Sequence, residues 1–225
     1  HFGRPPAEGQ SSIGGIVDGS ALDAATVVSN YRGVDLDRRF LFPDDRYLVV
    51  ADGVTGADGA TESRELTWML HGNGGGTSGG TFESLPAGGR WAVGDARLDS
   101  AVGVSGGPGP GGAPALDTTE SIHEGTYRQQ LTHTALRATV TAPAADADAV
   151  QLLYPTAAGQ PAPVTSAVAV PGGAGAQVVD EAGDRRVVAG RGGAGPGPRP
   201  PAAGGPAGAA GAAGTPRQRH QRTTP

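Results

Sequence analysis

Between residues 25 and 170 short apolar runs alternate with turn residues, and no apolar stripe of helical period persists for three turns. The stretch 25–31, ATVVSNY, is β-branched. The stretches 34–42, VDLDRRFLF, and 46–54, RYLVVADGV, flank Pro43-Asp44-Asp45, residues suited to a tight connection. Within 46–54, Tyr47, Val49 and Ala51 share one face while Leu48 and Val50 share the other. Both faces are apolar, which predicts a strand covered on two sides, near the middle of a sandwich. In 65–72, ELTWMLHG, Leu66, Trp68 and Leu70 line one face with a period of two. The run 90–104 predicts two short strands broken at Gly94-Asp95. Residues 127–142 predict a long strand with Leu136, Ala138 and Val140 on one side, and 149–155 and 163–170 predict two more. The pattern implies an all-β chain, folded as an antiparallel β-sandwich of two facing layers.

Composition divides the chain into three zones. Residues 1–24 are glycine-rich and weakly patterned, and read as an N-terminal remnant of the domain. Residues 25–170 form the sandwich. From Pro171 to residue 225 the text is dominated by Gly, Ala, Pro and Arg. The chain holds 40 Gly and 19 Pro, crowded toward this end, and such a segment buries too little apolar surface to offset its ordering entropy. The zone 171–225 is therefore expected to be a disordered tail. Aromatic residues make up 4% of the chain, so the core has to come from Val, Leu and Ala. A chain that opens on His1 reads as a fragment of something longer.

The formal net charge is −5 and the sequence pI is near 5.5. All 17 basic residues are Arg, and the mildly acidic balance argues against a nucleic-acid partner, whose phosphates call for a clustered cationic face. A polyanionic sugar is not excluded, because a cleft can concentrate a few Arg and His inside an acidic protein. Cysteine is absent, which removes disulfides, thiolate metal sites and cysteine nucleophiles. No apolar run approaches the length of a membrane span.

The most distinctive string is 67–83, TWMLHGNGGGTSGGTFE, a strand that ends at His71 and opens into a glycine-rich loop. Glycines at this density allow close approach by another chain or a ligand. A dinucleotide cradle needs a following helix in a parallel frame, and the pattern here supplies neither. His71 and Asn73, at the mouth of the loop, are the candidate substrate-binding residues. The competing reading of His71 is a structural ring that bonds the glycine backbone. His123 follows Asp117 and Glu120 in an acidic loop, and His133 alternates along a strand. Solvated or edge positions account for both. Arg38, Arg39 and Arg128 suit an anionic sugar, or equally salt bridges to Asp35, Asp37 and Asp44.

Taken in order, RRFLFPDDRYLVVADGV, ELTWMLHGNGGG, GGRWAVGDARLDSAVGVSGGP and ESIHEGTYRQQLTHTALRATV resemble the C-terminal β-sandwich region of the heparinase II/III-like polysaccharide lyases. The likeness covers about residues 25–170. It rests most on Tyr47-Leu48-Val49-Val50-Ala51-Asp52, on Trp68 with Leu70-His71-Gly72, and on Tyr127-Arg128. The resemblance implies a lyase for uronic-acid polysaccharides of the alginate or glycosaminoglycan type, acting by β-elimination. A base takes the C5 proton, cationic groups stabilise the enolate, and an acid protonates the leaving oxygen. It also implies an α/α toroid, absent from this chain, that carries most of the catalysis. No catalytic residue is therefore assigned, and the chain alone is expected to be inactive.

The family's zinc is held by histidines and an Asp whose motifs do not occur here. His1 stands near one ligand position but precedes Phe2 instead of Asn, and a lone His cannot hold zinc. No metal or other cofactor is assigned. The expected partners are an anionic polysaccharide and the toroid, with neither nucleic acid nor a membrane span, and the family likeness places the protein in the bacterial cell envelope or periplasm, or secreted. A second reading is a non-catalytic carbohydrate-binding or cell-envelope module, with Trp68 or Trp91 as a sugar platform. Exposed Trp rings would favour that reading; a buried Trp68, together with one apolar face left uncovered where a partner domain docks, would favour the first.

Overall fold

A computed structural model describes residues 9–31, 33–56, 61–124, 129–143, 146–157, 159–181 and 183–190, with backbone alone for 110 and 184–190. These fall in the unit His1–Gly193. In chain order the strands are β1 (Ser11–Val17), β2 (Leu22–Tyr31), β3 (Val34–Pro43), β4 (Leu48–Gly56) and β5 (Arg64–His71). There follow β6 (Thr81–Leu85), β7 (Gly88–Val93), β8 (Ala96–Val104), β9 (Ala115–Glu124) and β10 (Gln130–Ala142). The last four are β11 (Ala147–Thr156), β12 (Val164–Val170), β13 (Gly173–Asp180) and β14 (Gly183–Gly190). Among the described residues no helix is long and apolar enough to cross a membrane.

The strands form a central sheet in the order β1-β2-β3-β4-β11-β8-β7-β6 and two three-stranded sheets, β5-β10-β9 and β12-β13-β14. Pairing is antiparallel throughout, as in β4 with β11 and β5 with β10. Turn chemistry falls where the residues ask for it: Asp44 and Asp45 take φ of 50° and 52° between β3 and β4, and Gly94 takes 54° between β7 and β8. The all-β antiparallel sandwich read from the sequence is thus the observed architecture.

The sandwich has three layers, one more than the two expected. One face of the central sheet buries Val54, Val102, Val104, Ala147 and Ala149 against Trp68, Leu70, Leu136 and Ala138 of β5-β10-β9. The opposite face buries Tyr47, Val49, Ala51, Val150 and Leu152 against Ala174, Ala176 and Val178 of β13. Strand β4 is covered on both sides, as its doubly apolar pattern requires.

The extra layer comes from text read as tail. The zone expected to be disordered from Pro171 instead holds β13 and β14, and residue 182 and residues 191–225 lie outside the described residues. The physical reason is close packing. A Cβ at Gly103 would collide with the carbonyl of Gly175, so β8 and β13 approach with glycine facing glycine. Small side chains there fill a thin layer and are not a sign of missing structure. A polar latch holds the layer's edge: Tyr154 donates its hydroxyl proton to Asp180 Oδ2 at 2.9 Å, and Arg46 Nη2 donates to the Tyr154 oxygen at 2.8 Å. Burial is the main cause that raises the Tyr154 phenol above its ordinary value, and the bond to Asp180 adds to it.

The N-terminal zone also holds more structure than its weak pattern suggested. Strand β1 pairs with β2 across Ile13 and Val27, with a register shift between Gly14 and Val17. His1, Tyr127 and Arg128 lie outside the described residues.

Candidate histidine site on the outer face of β5-β10-β9

Strand alternation in β5 sends Leu66, Trp68 and Leu70 inward, and so sends Thr67, Met69 and His71 outward. Register then fixes the neighbours. Opposite His71 is Ala135 of β10, and opposite His133, two residues before Ala135, is Ser121 of β9. His71, His133 and His123 therefore step diagonally across three strands on one face. Diagonal neighbours on a sheet are within reach of long side chains.

The three rings form a hydrogen-bonded row. His71 Nδ1 lies 2.9 Å from His133 Nε2, and His133 Nδ1 lies 2.8 Å from His123 Nδ1. The middle ring is 6% exposed, whereas His71 is exposed and His123 half-buried. The His133 imidazole is held below its ordinary value, first by burial and then by the charges of His71 and His123. Neither solvation nor an edge position accounts for His133. His123 belongs to β9, not to an acidic loop. Its strand was hard to read because Asp117, Thr118, Thr119 and Glu120 leave no apolar alternation, and both faces of β9 are largely open.

The glycine-rich loop packs against Thr132 and Thr134, whose side chains alternate with His133 and so face away from the row. Thr134 N donates to Gly74 O at 2.9 Å, and Thr77 and Thr132 exchange hydrogen bonds from Thr77 N to Thr132 Oγ1 (3.0 Å) and from Thr132 N to Thr77 Oγ1 (2.8 Å). Trp91 Nε1 donates to Thr134 O at 2.6 Å. Gly72 packs flat on the Trp91 ring, where a Cβ would overlap the indole. The loop glycines thus serve close approach between layers. The ring of His71 bonds His133 Nε2 through its Nδ1. Asn73 is exposed in the loop, two residues beyond His71.

Other candidates resolve into ion pairs. Arg38 grips Asp52 of β4 with two bonds, Nε to Oδ1 at 2.7 Å and Nη2 to Oδ2 at 2.8 Å, so its partner is none of Asp35, Asp37 or Asp44. Trp68 Nε1 donates to the same carboxylate at 2.8 Å. Arg39 pairs with Asp37 on the surface at 3.0 Å. Both Trp68 (6% exposed) and Trp91 (2%) are core residues, so neither forms an open sugar platform.

The histidines do not converge on one point, because the two contacts use opposite nitrogens of His133. Among the described residues no group of three or more His, Cys, Asp or Glu is arranged to hold a metal ion. The zinc that the resemblance brings with it does not fit this row, and no chemistry here is routed through it.

No protein-family model and no curated protein matches the chain. Solved structures do. A crystal structure of heparinase III superposes with a TM-score of 0.60 at 10% identity over 79% of this chain, and a heparinase III gene product with 0.59 at 14% over 80%. The chain has the fold of a segment of heparinase III. Heparan sulfate lyase HepC from Pedobacter heparinus also matches, with a TM-score of 0.50 and 17% identity over 80% of this chain. The chain spans 27% of the heparinase III crystal structure and 28% of the other two. The likeness read from the sequence blocks therefore holds in the fold.

Proposed function

We propose that this chain is the β-sandwich part of a polysaccharide lyase that cleaves uronic-acid polysaccharides, of the alginate or glycosaminoglycan type, by β-elimination. Its own contribution is to hold the anionic polymer on the outer face of β5-β10-β9, with His71 and Asn73 foremost. The proton-abstracting and proton-donating groups belong to a helical domain elsewhere in the enzyme, which works in the cell envelope, the periplasm or outside the cell. The observation that carries this reading is the heparinase III fold over 80% of the chain. The buried Trp68 supports it against a stand-alone sugar-binding module, which needs an open aromatic face.

Ultraviolet absorbance of unsaturated uronate tests the division of labour. The chain incubated with alginate or with heparan sulfate is expected to give no increase in absorbance. Sustained turnover by this chain alone would overturn the assignment of catalysis to another domain.

A further inference from the structure

We infer that His71, His133 and His123 act as one unit that takes up a single shared proton and presents one N–H donor at each end of the row to the carboxylate or sulfate groups of an anionic polymer. The inference rests on the polysaccharide reading above for the identity of the natural anion, and on geometry for everything else.

The argument is a count of protons. Three imidazoles carry six ring nitrogens. Four of these face one another in two junctions, His71 Nδ1 with His133 Nε2 and His133 Nδ1 with His123 Nδ1. A junction of 2.8–2.9 Å holds one proton, because two N–H groups cannot point at each other at that distance. The two remaining nitrogens, Nε2 of His71 and Nε2 of His123, have no hydrogen-bond partner among the described residues.

Three neutral rings bring three protons. Two fill the junctions and the third sits on one outer nitrogen, leaving a donor at one end of the row and an acceptor at the other. One added proton converts the acceptor end, so both ends become donors and the row carries a single positive charge. A second added proton would have to enter a filled junction and break it. The row thus has two stable states, and only the charged one offers donors at both ends to an anion. Burial disfavours charge on the middle ring, His133.

No other charge on this face spoils the count. From β5 the face carries Glu65, from β10 Arg137 and from β9 Asp117, while strand alternation sends Glu120 and Glu124 to the opposite side. Arg137 Nε donates to Asp117 Oδ1 at 2.8 Å, and Glu65 acts on Arg137. The charges that act on His133 are those of His71 and His123.

The test is an imidazole nitrogen NMR titration of the full chain between pH 5 and pH 8, followed by binding measurements at both ends of that range. His71, His133 and His123 are expected to titrate together in one step of one proton. His133→Leu, which fills the buried position with an apolar side chain, should let His71 and His123 titrate separately, so that this face takes up two protons although it has lost an imidazole. Binding of a heparan sulfate fragment and of inorganic sulfate should strengthen about fivefold from pH 8 to pH 5.5, the size of an exposed ion pair. His71→Ala should abolish that pH dependence.

Independent titration of the three rings in the unaltered chain would overturn the inference, and pH-independent polysaccharide binding alongside it would leave the proposed function standing. A joint step with neither ligand bound at any pH would also overturn it. Sulfate binding that follows the joint step, with no binding of the polysaccharide, would support the row as an anion site and count against the polysaccharide reading. Alginate, which carries carboxylates without sulfates, separates the two anion types.

Discussion

A chain ending at Val170 is expected to lose its cooperative thermal transition altogether. That cut removes β13 and β14 and strips β12 of its pairing partner, since Val164 to Val170 align residue for residue with Val179 to Gly173. It also uncovers one face of the central sheet, where Val49, Val150 and Leu152 lie fully buried beneath Ala174, Ala176 and Val178. Returning three aliphatic side chains to water costs roughly 5–9 kcal/mol at about 1.5–3 kcal/mol each. A domain commonly has about 5–15 kcal/mol of stability in all. Circular dichroism against temperature checks this: a sharp transition that survives the cut would show that the third layer is dispensable. The latch of Arg46, Tyr154 and Asp180 would go with it, because Asp180 ends β13.

Asp52→Ala should produce the second large loss, about 3 kcal/mol, read as a lower denaturant midpoint with an unchanged slope. The Asp52 carboxylate is wholly buried and accepts two bonds from Arg38, one from Trp68 and a longer one, 3.4 Å, from Gln151 Nε2. Removing it leaves the Trp68 N–H without an acceptor inside the core and Arg38 without its counter-charge. The figure sits at the low end for a broken buried pair, because the Arg38 side chain is 35% exposed and can reach water. The Arg38 guanidinium is pushed above its ordinary value mainly by its bond to Asp52, against the pull of burial, so Arg38 stays charged at any ordinary pH. A double variant Arg38→Met with Asp52→Leu should recover the part of the loss that comes from the stranded cation, while the Trp68 N–H still lacks its partner. Equal losses in the single and double variants would contradict this division.

The parts of the fold that could be read from sequence are those where alternation and burial coincide. Leu66, Trp68 and Leu70 in β5, and the two apolar faces of β4, carried their orientation openly. The third layer was hidden because its packing residues are Gly175, Ala174 and Ala176, chosen for closeness and not for hydrophobic mass. Strand β9 was hidden because polar side chains occupy both its faces.

The site was half legible. His71 stood out because it closes a strand before a run of glycines. The partnership of His123 and His133 depends on register instead. They sit two places off direct opposition in the β9-β10 hairpin, and His71 reaches the same ring from β5, 62 residues earlier in the chain. Spacing rules for metal ligands do not look for that arrangement. A rule based on same-face diagonal neighbours in paired strands would have found the hairpin half of it.

The proposed site for an anionic polysaccharide is the outer face of β5-β10-β9. Amide chemical-shift mapping of the isotope-labelled chain with a heparan sulfate fragment at pH 6 addresses it most directly. The perturbed amides should cluster at Thr67, Met69, His71 and Asn73, and at His123 and His133 across the sheet. Shifts confined to the opposite layer, around Arg46, Tyr154 and Asp180, or no shifts at all, would contradict it.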